Sequence, residues 1–121
     1  MRHDNPQIMS ASTMIGNKVE NAAGENLGEV KELMIDRDTG DVAYAVLSFG
    51  GFLGLGDKLF AIPWRALQLD TERHSFRLGV DKDRLKDAPG FDKDDWPRNP
   101  DRTFVDQIHK YYDIQPYYAA R

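Results

Sequence analysis

At 121 residues, with 40% hydrophobic and 30% charged side chains, the chain has the composition of one soluble globular domain with a single modest core. Its formal net charge of −4 gives no bulk attraction to phosphate backbones or anionic lipid, so no nucleic-acid partner is expected. The lack of any cysteine excludes disulfides, thiolate metal sites and cysteine nucleophiles together.

Residues 1–11 are polar, contain Pro6 and show no periodicity, which predicts a flexible N-terminal tail. The longest apolar run there is Ile8-Met9, too short for a secretory leader, and no window approaches the ~20 apolar residues of a membrane span. A cytoplasmic protein is the default expectation. From Ser12 to Val80 short apolar runs alternate with turn signals at roughly eight- to twelve-residue intervals, the texture of an all-β sandwich or barrel.

Lys18-Val19-Glu20 reads as a short strand that ends in the turn Asn21-Ala22-Ala23-Gly24. Leu27 to Asp36 is a longer strand, in which Gly28 marks a bulge or a close backbone approach. Val30, Leu33 and Ile35 do not share one parity, so an irregularity is expected within it. Arg37-Asp38-Thr39-Gly40 is a tight hairpin connection with Gly40 left-handed, and Val42 to Phe49 returns as an almost continuous apolar strand, buried on both faces. Gly50 to Asp57 is a glycine-rich loop. Lys58 to Ile62 is a strand stopped by Pro63, and Ala66–Leu69 and Ser75–Val80 form a last pair. Six short strands with short connections suit a small barrel.

Beyond Asp81 the texture changes. Asp81 to Lys86 fits one helical turn, ended by Ala88-Pro89-Gly90, and the acidic, proline-punctuated stretch from Phe91 to Pro100 should lie extended over a surface. Asp101 is a candidate N-cap for a helix of about three turns, since Phe104, Val105, Ile108, Tyr111 and Tyr112 fall on one helical face. Gln115-Pro116-Tyr117-Tyr118 cannot continue it. Seven of the 13 aromatic residues (Trp 2, Tyr 5, Phe 6) lie in residues 86–121, so this arm is expected to pack on something.

The order of Ile15-Gly16-Asn17-Lys18-Val19, Gly24-Glu25-Asn26-Leu27-Gly28-Glu29-Val30, Leu33-Met34-Ile35-Asp36, Thr39 to Val46 and Ala61-Ile62-Pro63-Trp64 resembles the PRC-barrel family over residues 12–80. That barrel is found in the cytoplasmic domain of the photosynthetic reaction-centre H subunit and in the C-terminal half of a ribosome-maturation factor. Leu85 to Phe91, Trp96-Pro97, Tyr111-Tyr112 and Pro116-Tyr117 resemble stand-alone bacterial members. The resemblance implies a mainly β, six-stranded barrel over residues 12–85, followed by an aromatic arm and one short helix over 86–121. It also implies a non-catalytic adaptor or assembly domain that binds proteins, sometimes as a homodimer.

Chemistry-bearing motifs are sparse. Asp36-Arg37-Asp38 opens like a calcium loop, but the sixth and twelfth positions are Asp41 and Leu47 where that loop needs glycine and glutamate. Gly51, Gly54 and Gly56 lead into a strand and not into the helix N-terminus of a phosphate loop. His3, His74 and His109 have no partner histidine at metal-ligand spacing and are expected to be solvated. Ser48 lies inside a strand without an elbow motif. No catalytic, cofactor or metal residue is therefore assigned, and Trp64 is read as core. The expected interface residues are Phe52, Leu53 and Leu55 of the glycine-rich loop with Phe91, Trp96, Phe104, Tyr111, Tyr112, Tyr117 and Tyr118 of the arm. The partner expected is a protein, a second copy first of all. The competing reading is a regulatory domain that binds a small ligand or serves proton or electron transfer.

Overall fold

A tight turn sets the first two long strands side by side. In the computed structural model, which describes residues 8–49, 58–70, 72–92 and 102–120, Gly40 has φ +83° and donates its N–H to the Asp36 carbonyl at 2.8 Å. The Asp36 N–H donates to the Asp41 carbonyl at 2.8 Å, and the Asp36 carboxylate accepts the Asp38 N–H at 2.9 Å, so the connection satisfies its own backbone.

Seven strands form one sheet: β1 Lys18–Glu20, β2 Asn26–Ile35, β3 Val42–Phe49, β4 Lys58–Pro63, β5 Leu67–Asp70, β6 Ser75–Leu78 and β7 Gly90–Asp92. Their order is β5-β6-β1-β2-β3-β4-β7. All neighbours are antiparallel except β1 and β6, which run parallel with Val19 opposite Phe76. The six predicted strands are present. The seventh lies in the segment expected to run extended over a surface: Gly90–Asp92 pairs with Lys58–Phe60 of β4. Gly90 permits this approach, because a Cβ there would stand 2.7 Å from the Leu59 carbonyl oxygen.

The expected irregularity in β2 takes the form of two register shifts against β3, between Val30 and Glu32 and between Met34 and Ile35. A third, against β1, falls where Gly28 at φ +116° lies across from Val19. Each extra residue reverses side-chain parity. Leu27, Val30 and Leu33 thereby all face inward despite their spacing of three, and after the last shift Ile35 is left 53% exposed.

The inner faces of β1, β2, β3, β4 and β6 share one core that includes Val19, Leu27, Leu47, Phe60, Ile62 and Phe76, with Leu67 and Leu69 of β5 against it. Trp64 packs on that core edge-to-face with Phe76, ring centroids 5.8 Å apart. The ladder is continuous from β5 to β7, which are its two ends. Helix α1, Ala11–Met14, is a single turn capped by Ser10, in a stretch expected to begin the β region. Helix α2, Lys82–Lys86, is the turn predicted there. Asp81 caps it by accepting the Arg84 N–H at 2.8 Å, and Leu85 and Ala88 close one end of the core. Helix α3, Arg102–Tyr111, then crosses the outside of the sheet, and a 3-10 turn at Tyr117–Ala120 follows.

Candidate interaction surface

The outer face of the sheet has two halves of opposite character. Along β1, β2 and β6, Lys18, Glu29, Lys31, Glu32 and Arg77 are exposed, with Lys18 opposite Glu29 and Glu20 paired to Arg73 at 3.2 Å. Along β3 and β4 the same side is apolar. Tyr44, Val46, Leu59 and Ala61 form a second buried cluster with Val105 and Ile108 of α3 and with Tyr117. A strand that is apolar at nearly every position, as β3 is, needs cover on both sides, and the C-terminal segment supplies it here.

Two side-chain ties fix that segment. The Tyr117 hydroxyl donates to the Asp36 carboxylate at 2.5 Å, joining the C-terminal turn to the β2–β3 connection 81 residues earlier. The Arg84 guanidinium donates to the Tyr111 carbonyl while the Tyr111 hydroxyl donates to the Arg84 carbonyl, and the guanidinium carbon lies 4.7 Å from the Tyr111 ring centre. The hydrogen bond from Tyr117, with that from the Asp38 N–H, holds the Asp36 carboxyl below the usual carboxylate range. Burial, reinforced by the same bond to Asp36, pushes the Tyr117 phenol well above its ordinary value; burial likewise pushes Tyr112 well up and raises Tyr44. The hydroxyls of Tyr112 and Tyr118 are buried without a hydrogen-bond partner among the described residues.

Beside the Tyr117–Asp36 bond lies an open cleft of about 600 Å³. Met34, Ile35, Ala43 and Tyr44 give it an apolar floor, and Asp36, Arg37, Asp38 and Arg102 give it a rim of both charges. A smaller cleft of about 220 Å³ lies on the other side of Tyr117, between Asp41, Trp64, Arg65 and His109. The Arg102 guanidinium is also held 3.8 Å over the Tyr118 ring, which fixes one rim of the larger cleft.

Of the residues expected at an interface, Phe91, Phe104, Tyr117 and Tyr118 share the outer cluster. Phe52, Leu53, Leu55 and Trp96 lie outside the described residues. Phe91 and Phe104 are half-buried against the outer cluster, Phe104 edge-to-face with Tyr44 at 5.5 Å. Tyr112 and Tyr117 are 8% and 6% exposed and pack on the chain's own sheet, while Tyr111 and Tyr118 are half-buried beside them. The arm therefore clasps its own barrel. His109, expected in solvent, is instead 2% exposed, with Nδ1 2.8 Å from the Val105 carbonyl oxygen. It follows Ile108 on the buried side of α3, four residues after Val105, so helical spacing carried the signal. His74 is exposed at a turn with φ +52°, and His3 lies outside the described residues. Ile35 and Arg102, which line the larger cleft, were not singled out as site residues in the sequence, and Asp36 was weighed there only as the opening of a calcium loop. The parity break at Ile35 was the signal that pointed toward this end of β2.

Among the described residues no three His, Asp or Glu side chains converge as metal ligands, and no helix is long and apolar enough to cross a membrane. A family model described as the PRC-barrel domain matches residues 6–85. Among solved structures the chain is similar to that of a protein described as a 16S ribosomal RNA processing protein, RimM, from Pseudomonas aeruginosa. The TM-score is 0.45, the sequence identity 17%, and the match covers 69% of this chain and 50% of the other, so this chain spans half the length of that one. No curated protein matches the chain.

Proposed function

The chain belongs to the PRC-barrel family, and on that footing we propose that it is a non-catalytic protein-binding or assembly module that self-associates. The observation that supports this reading is the cleft at the end of the β2–β3 hairpin. A large apolar side chain, Ile35, stays 53% exposed there beside Met34, within a rim formed by Asp36, Arg37, Asp38 and Arg102. An apolar centre with a polar rim of both signs is the composition of a protein docking site. Because those charges nearly balance, a second copy of the same surface meets no net repulsion across a twofold axis. The loop residues Phe52, Leu53 and Leu55 and the arm residue Trp96 belong to the same proposal as further contacts.

Light scattering and sedimentation of the full chain over a wide concentration range test it. A concentration-dependent dimer is expected, and Ile35→Asp is expected to return it to monomer with an unchanged β-sheet circular dichroism spectrum. A wild-type monomer at every concentration removes self-association. A dimer that Ile35→Asp leaves intact removes the cleft from the interface.

A further inference from the structure

We propose that residues 102–118 are a displaceable cover: α3 and the turn after it occupy, within one chain, a helix-docking face on β3 and β4, and they open as a unit while the barrel stays folded. Only the use of that face by a partner rests on the binding-module reading. The opening itself is a property of this chain alone.

The face is built as a docking surface. Val46, Leu59 and Ala61 are fully buried on the outer side of the sheet, beneath Val105 at 8% and Ile108 at 0% exposure. The family model ends at residue 85, before this cover begins. Most of the inner core is built without it: among the described residues, Tyr112 is the one buried side chain of that core from beyond Ala88, with Tyr111 and Ile114 packed against it.

The cover is held in a way that allows release. Strands β3 and β4 are tied to their neighbours by backbone ladders, whereas the segment is tied through side chains, by the Arg84–Tyr111 clasp at the end of α3 and by Tyr117–Asp36 in the turn after it. Closure also leaves two hydroxyls, those of Tyr112 and Tyr118, without a partner among the described residues, and they regain hydrogen bonds to water when the segment lifts. At ten residues α3 is shorter than the ~12–15 that an isolated helix needs in water, so it does not open piecemeal and persist as a free helix. The segment is docked and helical, or released.

Because the natural chain has no cysteine, a single introduced thiol reports opening without background. In the full chain, Ala61→Cys places that thiol under α3, and Ala45→Cys places one in the inner core at 1% exposure. Labelling by a disulfide reagent under native conditions is expected to be much faster at position 61 than at position 45. Tyr117→Phe is expected to speed labelling at position 61 about fivefold further, the weight of one hydrogen bond, and to leave position 45 unchanged. Val46→Cys repeats the outer-face measurement should Ala61→Cys disturb the packing. Equal rates at the two faces, or an outer-face rate that Tyr117→Phe does not move, overturn the proposal. Neither result bears on the dimer measurement, so the two readings fail separately.

Discussion

Gly28 lies in β2 opposite Val19 of β1 and against the backbone of β3. Its φ is +116°, and a Cβ there would stand 2.1 Å from the Ser48 carbonyl oxygen, with backbone and not a movable side chain in the way. Gly28→Ala is therefore expected to destabilise the protein by more than about 3 kcal/mol, strain and clash together. Gly24→Ala, at φ +83° with nothing within 4 Å, should cost about 1–2 kcal/mol for its backbone alone. Urea midpoints at unchanged slope read both. Asp36 gives a pH signature of definite sign. Its folded pKa is depressed, chiefly by the Tyr117 hydrogen bond, so its contribution is complete above the ordinary value of ~3.9 and drains away as pH falls through the lower folded value. Asp36→Asn should thus be less stable than wild type at neutral pH and converge with it in strong acid, as thermal melts along a pH series will show. Tyr44, Tyr112 and Tyr117 are shifted upward, so the stability they confer is lost only as pH climbs past ~10, and thermal melts along an alkaline pH series should show that loss. Single residues were legible in the sequence where their backbone demanded a type, as at Gly28 and Gly40. Tyr117 carried no such mark, because its partner Asp36 is 81 residues away and only the folded chain brings the two together.

Among the elements, α3 and β7 show how far local pattern reaches. The apolar spacing of Phe104, Val105, Ile108 and Tyr112 announced the helix and its buried side, since 3.6-residue periodicity is written within the element itself. Which face it would cover was not written there, although β3 carried the complementary half of the message in its unbroken apolar run. Strand β7 was illegible as a strand: three residues after Pro89, beginning in glycine and ending in aspartate, have no alternation to read, and β4 recruits them through its free edge. Packing at α3 makes a prediction at this scale. Ile108 is fully buried between helix and sheet, so Ile108→Ala should lower stability by about 2–4 kcal/mol. Gln107→Ala on the exposed side should stay within about 0.5 kcal/mol, both read from urea unfolding.

At the scale of the whole molecule, the pairing that makes a barrel-like sheet out of two hairpin groups is the parallel contact of β1 with β6. It sets Lys18, Val19 and Glu20 beside Ser75, Phe76 and Arg77, while every antiparallel contact except β4 with β7 joins strands consecutive in the chain. Strand order of this kind leaves no trace in alternation or turn chemistry, and the resemblance implied a six-stranded barrel without its strand order. Its physical consequence is kinetic. Val19 and Phe76 both lie within the inner core, so that core is unfinished until the chain between them has closed a loop, and the entropy of that closure falls due before the burial of Phe76 returns anything. The hairpins β2–β3 and β5–β6 carry no such burden and should form early. Refolding from urea, followed by stopped-flow fluorescence of Trp64 against Phe76, should accordingly be slow for a chain of this size, in the range of milliseconds to seconds typical of non-local β-topologies. Val19→Ala should slow that step if the β1–β6 contact is made in the transition state, and should speed unfolding instead if the contact forms after it. A refolding time well under a millisecond would mean that the distant pair is not what limits the closing of the sheet.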